Sequence, residues 1–122
     1  MSKPSSRNCK RLLLVEDHNS TRSALGLFLR SHGHTVVAYP SAEEAVAAFE
    51  DTSLDLALID IRLPGRPGDA FAADLHARQP RLPIIFFTGE SRTDHLQKII
   101  PTSRVFRKPV PPEELLALIK SA

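Results

Sequence analysis

Three runs of consecutive apolar residues, separated by segments with helical periodicity, constrain the fold of this chain most strongly. The runs cover residues 12–15, 56–59 and 84–87, and a stretch that is apolar at every position is typical of a strand buried on both faces. Two shorter strands are predicted at residues 35–39 and 104–106. Because a helical segment follows each strand, the sequence predicts five βα units and hence a parallel sheet with helices on both faces.

Five apolar stripes at helical spacing predict the helices that cover the sheet. Ser41, three residues before Glu44, predicts a capping box at the second helix, and Gly33 is placed to end the first helix in a left-handed conformation. Pro101 is expected to end the fourth helix early, and Pro112 to open the fifth. The stripes are Leu25, Phe28 and Leu29; Ala42, Ala45, Val46 and Phe49; Phe71, Ala72 and Leu75; Leu96, Ile99 and Ile100; and Leu115, Leu116 and Ile119.

Length and cysteine content limit the class of protein. A chain of 122 residues fits one domain, and no apolar run approaches the ~18 residues of a membrane helix. The first residues lack the hydrophobic stretch of a secretory signal. The single cysteine, Cys9, cannot form an internal disulfide, which suits a reducing cytoplasm. We therefore expect a cytoplasmic protein that does not associate with membranes.

The positive charge is concentrated at the start of the chain. Four of the 16 basic residues lie within the first eleven positions, which contain no acid, and the other 12 face 14 acidic residues. Since affinity for a nucleic-acid backbone needs clustered positive charge on the folded body, we expect no direct nucleic-acid binding. The sequence predicts a flexible basic tail over residues 1–10 and one folded domain over residues 11–122.

Polar residues follow four of the five predicted strands. Glu16 and Asp17 follow the first, Asp60 the third, Thr88 the fourth and Lys108 the fifth. In a doubly wound sheet, ligands bind at the carboxyl ends of the strands, where the strand order reverses. If this reversal lies between the first and third strands, Asp17 and Asp60 are expected to face each other there.

These residue types fit the transfer of a phosphoryl group to a carboxylate. Carboxylates gathered at one edge repel each other and recruit a cation, and an all-oxygen set without His or Cys spacing suits Mg²⁺. A lysine and a threonine opposite the carboxylates would bind an incoming anion. Together the set predicts phosphorylation of an aspartate.

The chain resembles the receiver domains of two-component response regulators over residues 11–122. The resemblance rests on the motifs Leu14-Val15-Glu16-Asp17, Asp60-Ile61-Arg62-Leu63-Pro64 with Gly68 eight residues after the aspartate, Thr88-Gly89, and Lys108-Pro109. Each motif alone is weak, but all four in this order and spacing are specific. The resemblance implies a flavodoxin-like (βα)5 fold, a doubly wound five-stranded parallel sheet with strand order 2-1-3-4-5. It also implies a signalling domain rather than an enzyme.

The resemblance further implies a role for each residue that matches a motif. Asp60 is expected to accept a phosphoryl group from the phosphohistidine of a sensor histidine kinase or a histidine phosphotransfer protein. Asp17, Asp60 and the backbone carbonyl of Arg62 are expected to ligate Mg²⁺, and Glu16 to reach the ion through a bound water. The phosphoryl group is expected to pair with Lys108.

The same resemblance implies a switch and an output surface. Thr88 is expected to hydrogen-bond the phosphoryl group, and Val105 stands where the family often has an aromatic switch residue. Phe106 is expected to point into the core instead. The output surface of the family is formed by its fourth helix, fifth strand and fifth helix, and it would serve a downstream protein target or a homodimer. The bond before Pro109 is expected to be cis.

Arg62 and Glu90 occupy the positions two residues after Asp60 and Thr88. In receivers these positions line the path by which water reaches the phosphoryl group. An ion pair between Arg62 and Glu90 across the mouth of the site would slow loss of the phosphoryl group.

The same residues also bear on three other functions. A receiver-shaped interaction module that is never phosphorylated stays open as an alternative. A Mg²⁺-dependent phosphatase of the haloacid dehalogenase kind needs a second acid two residues after its aspartate nucleophile, where this chain has Arg62. A flavodoxin-like cofactor binder needs a hydroxyl-rich phosphate loop after the first strand, where Glu16 and Asp17 would repel a phosphate.

Two further features have simpler interpretations. The five histidines are expected at the surface, and only His18, beside the acidic pair, is placed to contribute to the site. The segment of residues 64–68, rich in proline and glycine, lacks the spacing of a nucleotide-binding loop and is interpreted as a stiff turn after Asp60.

Overall fold

Five parallel strands form a single sheet in the computed structural model, which describes residues 9–89, 93–109 and 111–121. The spatial order of the strands is β2-β1-β3-β4-β5, and all four neighbouring pairs are parallel. Both the doubly wound sheet and the predicted strand order are confirmed. The strands are β1 (Arg11–Val15), β2 (Thr35–Tyr39), β3 (Leu56–Asp60), β4 (Ile84–Thr88) and β5 (Arg104–Arg107).

In the described part of the chain, four helical segments connect consecutive strands and a fifth follows β5, and they lie on the two faces of the sheet. The core on one face includes residues of α1 and α5, and the core on the other includes residues of α2, α3 and α4. No helix among the described residues is both long enough and apolar enough to span a membrane. The segments are α1 (Asn19–Ser31), α2 (Glu44–Glu50), α3 (Gly68–Arg78), α4 (Asp94–Ile99) and α5 (Pro112–Ser121).

The second helical segment, α2, is a 3₁₀ helix rather than the predicted α-helix. In a 3₁₀ helix the residues i and i+3 eclipse each other, and the buried positions of α2 are Ala45 and Ala48, while Ala42 is buried in the turn before it. Val46 is 44% exposed, and its predicted place in the core is therefore wrong. The predicted capping contact is present, since the Glu44 N–H donates to Ser41 Oγ at 3.2 Å.

The carboxyl end of α2 is contacted by the side chain of the residue that follows α3. Gln79, directly after α3, donates from Nε2 to the carbonyl oxygens of Ala48, Phe49 and Asp51 at 3.0, 3.2 and 3.2 Å. The last carbonyls of a helix have no partner within it. The Gln79 amide therefore contacts carbonyls at and just after the end of α2 and connects α2 to the segment that follows α3.

The turn between α1 and β2 contains a buried histidine. Gly33 has φ +93° and ends the helix in the left-handed region, as predicted. His34 is only 5% exposed, and its Nδ1 accepts the Lys10 N–H at 3.0 Å. The expectation of a surface histidine is wrong here because a backbone amide satisfies the ring. Burial lowers the pKa of His34, and the positive charges of neighbouring basic groups lower it further.

Residues of β5 alternate between the two cores. Val105 packs against the core beneath α2, α3 and α4, whereas Phe106 packs against the core beneath α1 and α5. The predicted inward direction of Phe106 is thus confirmed. The fourth helix, α4, ends at Ile99, before Pro101, and is as short as expected. Ile99 itself is 38% exposed, so this member of the predicted stripe lies outside the core.

Candidate functional site

The carboxyl edge of the sheet brings together an ammonium group and two buried carboxylates. Glu16 follows β1 and Asp60 ends β3, and their exposed fractions are 0% and 2%. Lys108, directly after β5, donates from Nζ to Asp60 Oδ2 at 2.8 Å and to Glu16 Oε1 at 3.1 Å. Three strands that are distant in sequence therefore each contribute one side chain to a compact ionic cluster. The positions of these three residues at the strand ends predict this arrangement.

Burial and the hydrogen bonds of Lys108 have opposite effects on the pKa values of Asp60 and Lys108. Burial raises the pKa of Asp60 above its ordinary value, and the negative charge of Glu16 adds to the rise, while the hydrogen bond from Lys108 counteracts both. Burial also disfavours the Lys108 ammonium, but its bonds to Asp60 and Glu16 outweigh this and raise the pKa of Lys108. The lysine is therefore firmly charged, and its charge compensates the two acids.

Both carboxylate oxygens of Asp60 are engaged. Besides the bond from Lys108 to Oδ2, the backbone N–H of Arg62 donates to Oδ1 at 3.1 Å. The Ile61 N–H donates to the Phe87 carbonyl of β4 at 3.1 Å and fixes the backbone just after the aspartate. The direction of the carboxylate is thus set by its own loop and by the neighbouring strands.

Gly68 opens α3 directly against the backbone of Asp60. Its N–H donates to the Ile61 carbonyl at 2.8 Å. A Cβ at Gly68 would lie 1.9 Å from the Asp60 carbonyl oxygen and 2.9 Å from Ile61 Cα. Glycine is needed here for this close approach, since no side-chain atom fits between the helix and the strand end.

The acidic pair after β1 forms a candidate cation site together with its neighbour. Ligand atoms of Glu16, Asp17 and His18 all lie within 4.8 Å of one another. Among the described residues, none donates a hydrogen bond to the buried Oδ1 of Asp17, and His18 Nδ1 is 3.8 Å from it. Glu16, rather than Asp17, contacts the lysine that also binds Asp60. The predicted juxtaposition of Asp17 and Asp60 remains a prediction.

A residue that the sequence analysis did not identify supports this acidic segment. Arg22, on the first turn of α1, donates from Nη1 to the Glu16 carbonyl at 2.8 Å and from Nη2 to Asn19 Oδ1 at 2.6 Å. An arginine one turn into the helix that follows an acidic pair is the only sequence signal for this contact. It ties the backbone of Glu16 to the helix.

The carboxyl edge of the sheet also includes Thr88 and the peptide bond that follows Lys108. Thr88 is fully buried at the end of β4, and its carbonyl accepts the Lys108 N–H at 2.9 Å. The peptide bond between Lys108 and Pro109 is cis, as the resemblance implies. Lys108 is thus placed by its backbone as well as by its ammonium group.

A recess of about 540 Å³ lies beside the aspartate loop. Its lining includes Asp17, Arg62, Asp69 and His95, and His95 Nε2 lies 3.6 Å from Asp69 Oδ2. Arg62 is exposed at this recess. Glu90, its predicted partner, lies outside the described residues.

Comparison with known proteins identifies the family. Residues 12–120 match the model of the response regulator receiver domain. The chain belongs to this family. Among solved structures, the CheY-like receiver domain from Methanospirillum hungatei JF-1 is 29% identical with a TM-score of 0.85, covering 93% of this chain and 92% of that one. The BeF3-activated receiver domain of Klebsiella pneumoniae RstA is 29% identical with a TM-score of 0.78, covering 91% and 96%.

Curated relatives of this receiver domain are longer proteins. Regulatory protein VanR of Enterococcus faecium is 30% identical over 113 residues, which cover 91% of this chain and 48% of the relative. Transcriptional regulatory protein RprY of Bacteroides fragilis is also 30% identical, with 48% of its length covered. The chain therefore spans about half the length of these relatives.

Proposed function

We propose that this chain is the phosphoacceptor domain of a two-component phosphorelay, and that Asp60 takes its phosphoryl group from a phosphohistidine. The donor is a sensor histidine kinase or a histidine phosphotransfer protein. The observation that carries the proposal is the ammonium of Lys108, which bonds to Asp60 at 2.8 Å and to Glu16 at 3.1 Å. The charge of Lys108 keeps Asp60 ionised although it is buried, and an ionised carboxylate can act as a nucleophile. Asp60 also lies at the carboxyl edge of a doubly wound sheet, which is where ligands bind.

The transfer exchanges one bond to phosphorus for another. A carboxylate oxygen of Asp60 bonds to phosphorus while the bond to the donor imidazole nitrogen breaks, and the imidazole leaves with that electron pair. The Arg62 N–H on Oδ1 holds the carboxylate in one orientation, which reduces the cost of alignment. Lys108 balances the negative charge of the aspartyl phosphate, and the hydroxyl of Thr88 donates to a phosphoryl oxygen.

The donor set fits Mg²⁺. Asp17 Oδ1 is buried and receives no hydrogen bond from the described residues, and it lies in an acidic group that offers carboxylate oxygens, the ligands Mg²⁺ prefers. Glu16, Asp17, Asp60 and the Arg62 carbonyl would hold the ion. When bound, it would stabilise negative charge on the transferring phosphoryl oxygens.

Thr88, at the end of β4, passes the phosphorylation signal to the rest of the domain. Phosphorylation draws Thr88 toward the phosphoryl oxygens and reshapes the segment after β4, which leads into α4. The change reaches the α4–β5–α5 face through the backbone, because Val105 is too small to act as an aromatic switch. That face binds a downstream protein target or a second copy of the chain. The domain acts in the cytoplasm as a signalling module.

Loss of the signal depends on access of water to the phosphoryl group. Arg62 is exposed beside the recess, and its pairing with Glu90 would restrict that access. Alanine at either position should then speed dephosphorylation, and the double variant should be no faster than each single one. Additive effects would mean that the two residues act separately.

The test of the proposed function is incubation with acetyl phosphate and Mg²⁺, followed by intact mass measurement. The expected result is one added phosphoryl group in the wild type and none in Asp60→Asn. No addition to the wild type would favour the interaction module that is never phosphorylated. Addition that persists in Asp60→Asn would place the acceptor elsewhere.

A further inference from the structure

The loop after the acceptor aspartate is contacted from outside by an acidic side chain. We call residues 61–67 the acceptor loop. Glu43, directly before α2, accepts the Arg66 N–H on Oε2 at 2.9 Å. The two residues are 23 positions apart, so this bond connects a separate part of the chain to the loop.

The glycine next to this bond shows how closely the side chain of Glu43 approaches the loop. Gly65 has φ +75°, in the left-handed region that side chains disfavour. A Cβ at Gly65 would lie 2.7 Å from Glu43 Oε2. The loop therefore turns against the carboxylate itself, and the backbone conformation at Gly65 directs the Arg66 N–H to it.

The far end of the acceptor loop is anchored on the other side by α3. The Arg66 side chain forms an ion pair with Asp74 of α3, and the Gly68 N–H donates to the Ile61 carbonyl at 2.8 Å. Arg66 thus bonds through its backbone to Glu43, just before α2, and through its side chain to α3. Between these anchors and Asp60 lies Arg62, whose N–H sets the direction of the aspartate.

We propose that Glu43 is a positioning residue for phosphorylation of Asp60, acting through the acceptor loop. The inference rests on the proposed function, in which the loop supplies the Arg62 N–H to Asp60 and the Arg62 carbonyl to Mg²⁺. A hydrogen bond from the Arg66 N–H to a side chain outside the acceptor loop limits the backbone conformations open to the loop. Glu43 is exposed, so its loss should affect loop geometry more than folding.

Two substitutions at Glu43 separate positioning from charge. Glu43→Ala removes the acceptor, whereas Glu43→Gln keeps an oxygen that can accept the Arg66 N–H but removes the charge. Glu44→Ala is the matched control, because it removes the same charge from an adjacent exposed position. Among the described residues, no ion pair or hydrogen bond is found for the Glu44 carboxylate, and Glu44 bonds to Ser41 through its backbone N–H.

The first measurement is amide hydrogen exchange at Arg66 in the metal-free protein, which does not depend on activity. Exchange should be about threefold to tenfold faster in Glu43→Ala and near the wild-type rate in Glu43→Gln and Glu44→Ala. The second is the Mg²⁺ concentration that half-saturates the rise in melting temperature. This Mg²⁺ concentration should increase about threefold to tenfold in Glu43→Ala alone. Loss of a residue that orients a metal ligand directly changes affinity by about 10–100-fold, and the effect should be smaller here because Glu43 bonds to Arg66, four positions after Arg62.

The third measurement is the rate of phosphorylation by acetyl phosphate at saturating Mg²⁺, which should fall about threefold to tenfold in Glu43→Ala and recover in Glu43→Gln. Equal behaviour of Glu43→Ala and Glu44→Ala in exchange and Mg²⁺ response would overturn the inference, as would failure of Glu43→Gln to rescue. A wild type that is not phosphorylated would refute the proposed function, while the exchange and Mg²⁺ measurements would still decide the role of Glu43 in the loop.

Discussion

Gly68 lies so close to Asp60 that a Cβ at the glycine would be 1.9 Å from the aspartate carbonyl oxygen. The contact is between backbones, so no side-chain rotation can relieve it. The first turn of α3 therefore sets the position of the strand end that carries Asp60.

Gly68→Ala should destabilise the fold by about 1–3 kcal/mol, the usual cost of overpacking, and should slow phosphorylation because the Asp60 backbone must move. The control is Gly89→Ala beside Thr88, where a Cβ would meet nothing within 4 Å. Urea unfolding and acetyl phosphate labelling measure the two effects. Equal stability of both variants would mean that the backbone accommodates a side chain at Gly68.

Asp60→Asn should alter the dependence of stability on pH. Burial raises the pKa of Asp60 above its ordinary value of 3.8, so the folded state binds this proton more tightly than the unfolded state. Ionisation of Asp60 therefore costs stability as the pH rises from that value through the folded-state pKa. The melting temperature of Asp60→Asn, relative to wild type, should increase across this window. A constant difference from pH 3 to pH 7 would contradict the prediction.

Lys108→Met should leave Glu16 and Asp60 without their shared cation. Breaking a buried ion pair typically costs 3–5 kcal/mol, and because the Lys108 side chain is 28% exposed we expect about 2–3 kcal/mol at pH 7. Lower pH or millimolar Mg²⁺ should restore part of this loss, since both reduce the repulsion between the acids. Lys98→Met, at an exposed position of α4, is the control. A loss unaffected by pH and Mg²⁺ would point to packing alone.

His34→Asn should reduce the dependence of the folding stability on pH, at a position before β2 and away from Asp60. Burial lowers the pKa of His34 from 6.5, so the unfolded state binds a proton first as the pH falls. Wild-type stability should therefore decrease below about pH 6.5, through the folded-state pKa. Asparagine keeps an acceptor for the Lys10 N–H and does not titrate, so this loss should diminish. Thermal melts between pH 5 and 8 measure it, and an unchanged profile in His34→Asn would exclude the buried ring as its source.

The sheet and the ionic cluster of Glu16, Asp60 and Lys108 could be predicted from sequence because each leaves a local signal. Strands buried on both faces are apolar at every position, as in the run that ends at Val15, and the polar residue that follows marks the edge. Asp60 and Lys108 were identified in this way, and their contact at 2.8 Å confirms that the strand ends meet.

The type of the second helix and the supporting contacts could not be predicted in the same way. The spacings of 3.0 and 3.6 residues differ little over one short segment, so Val46 fits an α-helical stripe although a 3₁₀ helix exposes it. Glu43 and Gln79 act on backbone groups about 20 to 30 positions away. A side chain that bonds to a distant backbone has no periodicity, and only the tertiary fold identifies its partner.

Lys108 is the last member of the ionic cluster of Glu16, Asp60 and Lys108 to be synthesised. Lys108 follows Glu16 by 92 positions and Asp60 by 48. A nascent chain that has not yet produced β5 carries the two acids without the ammonium that compensates them. We therefore expect that the domain cannot accept a phosphoryl group until synthesis has passed the edge strand, so that a partly made chain cannot intercept the signal meant for a finished one.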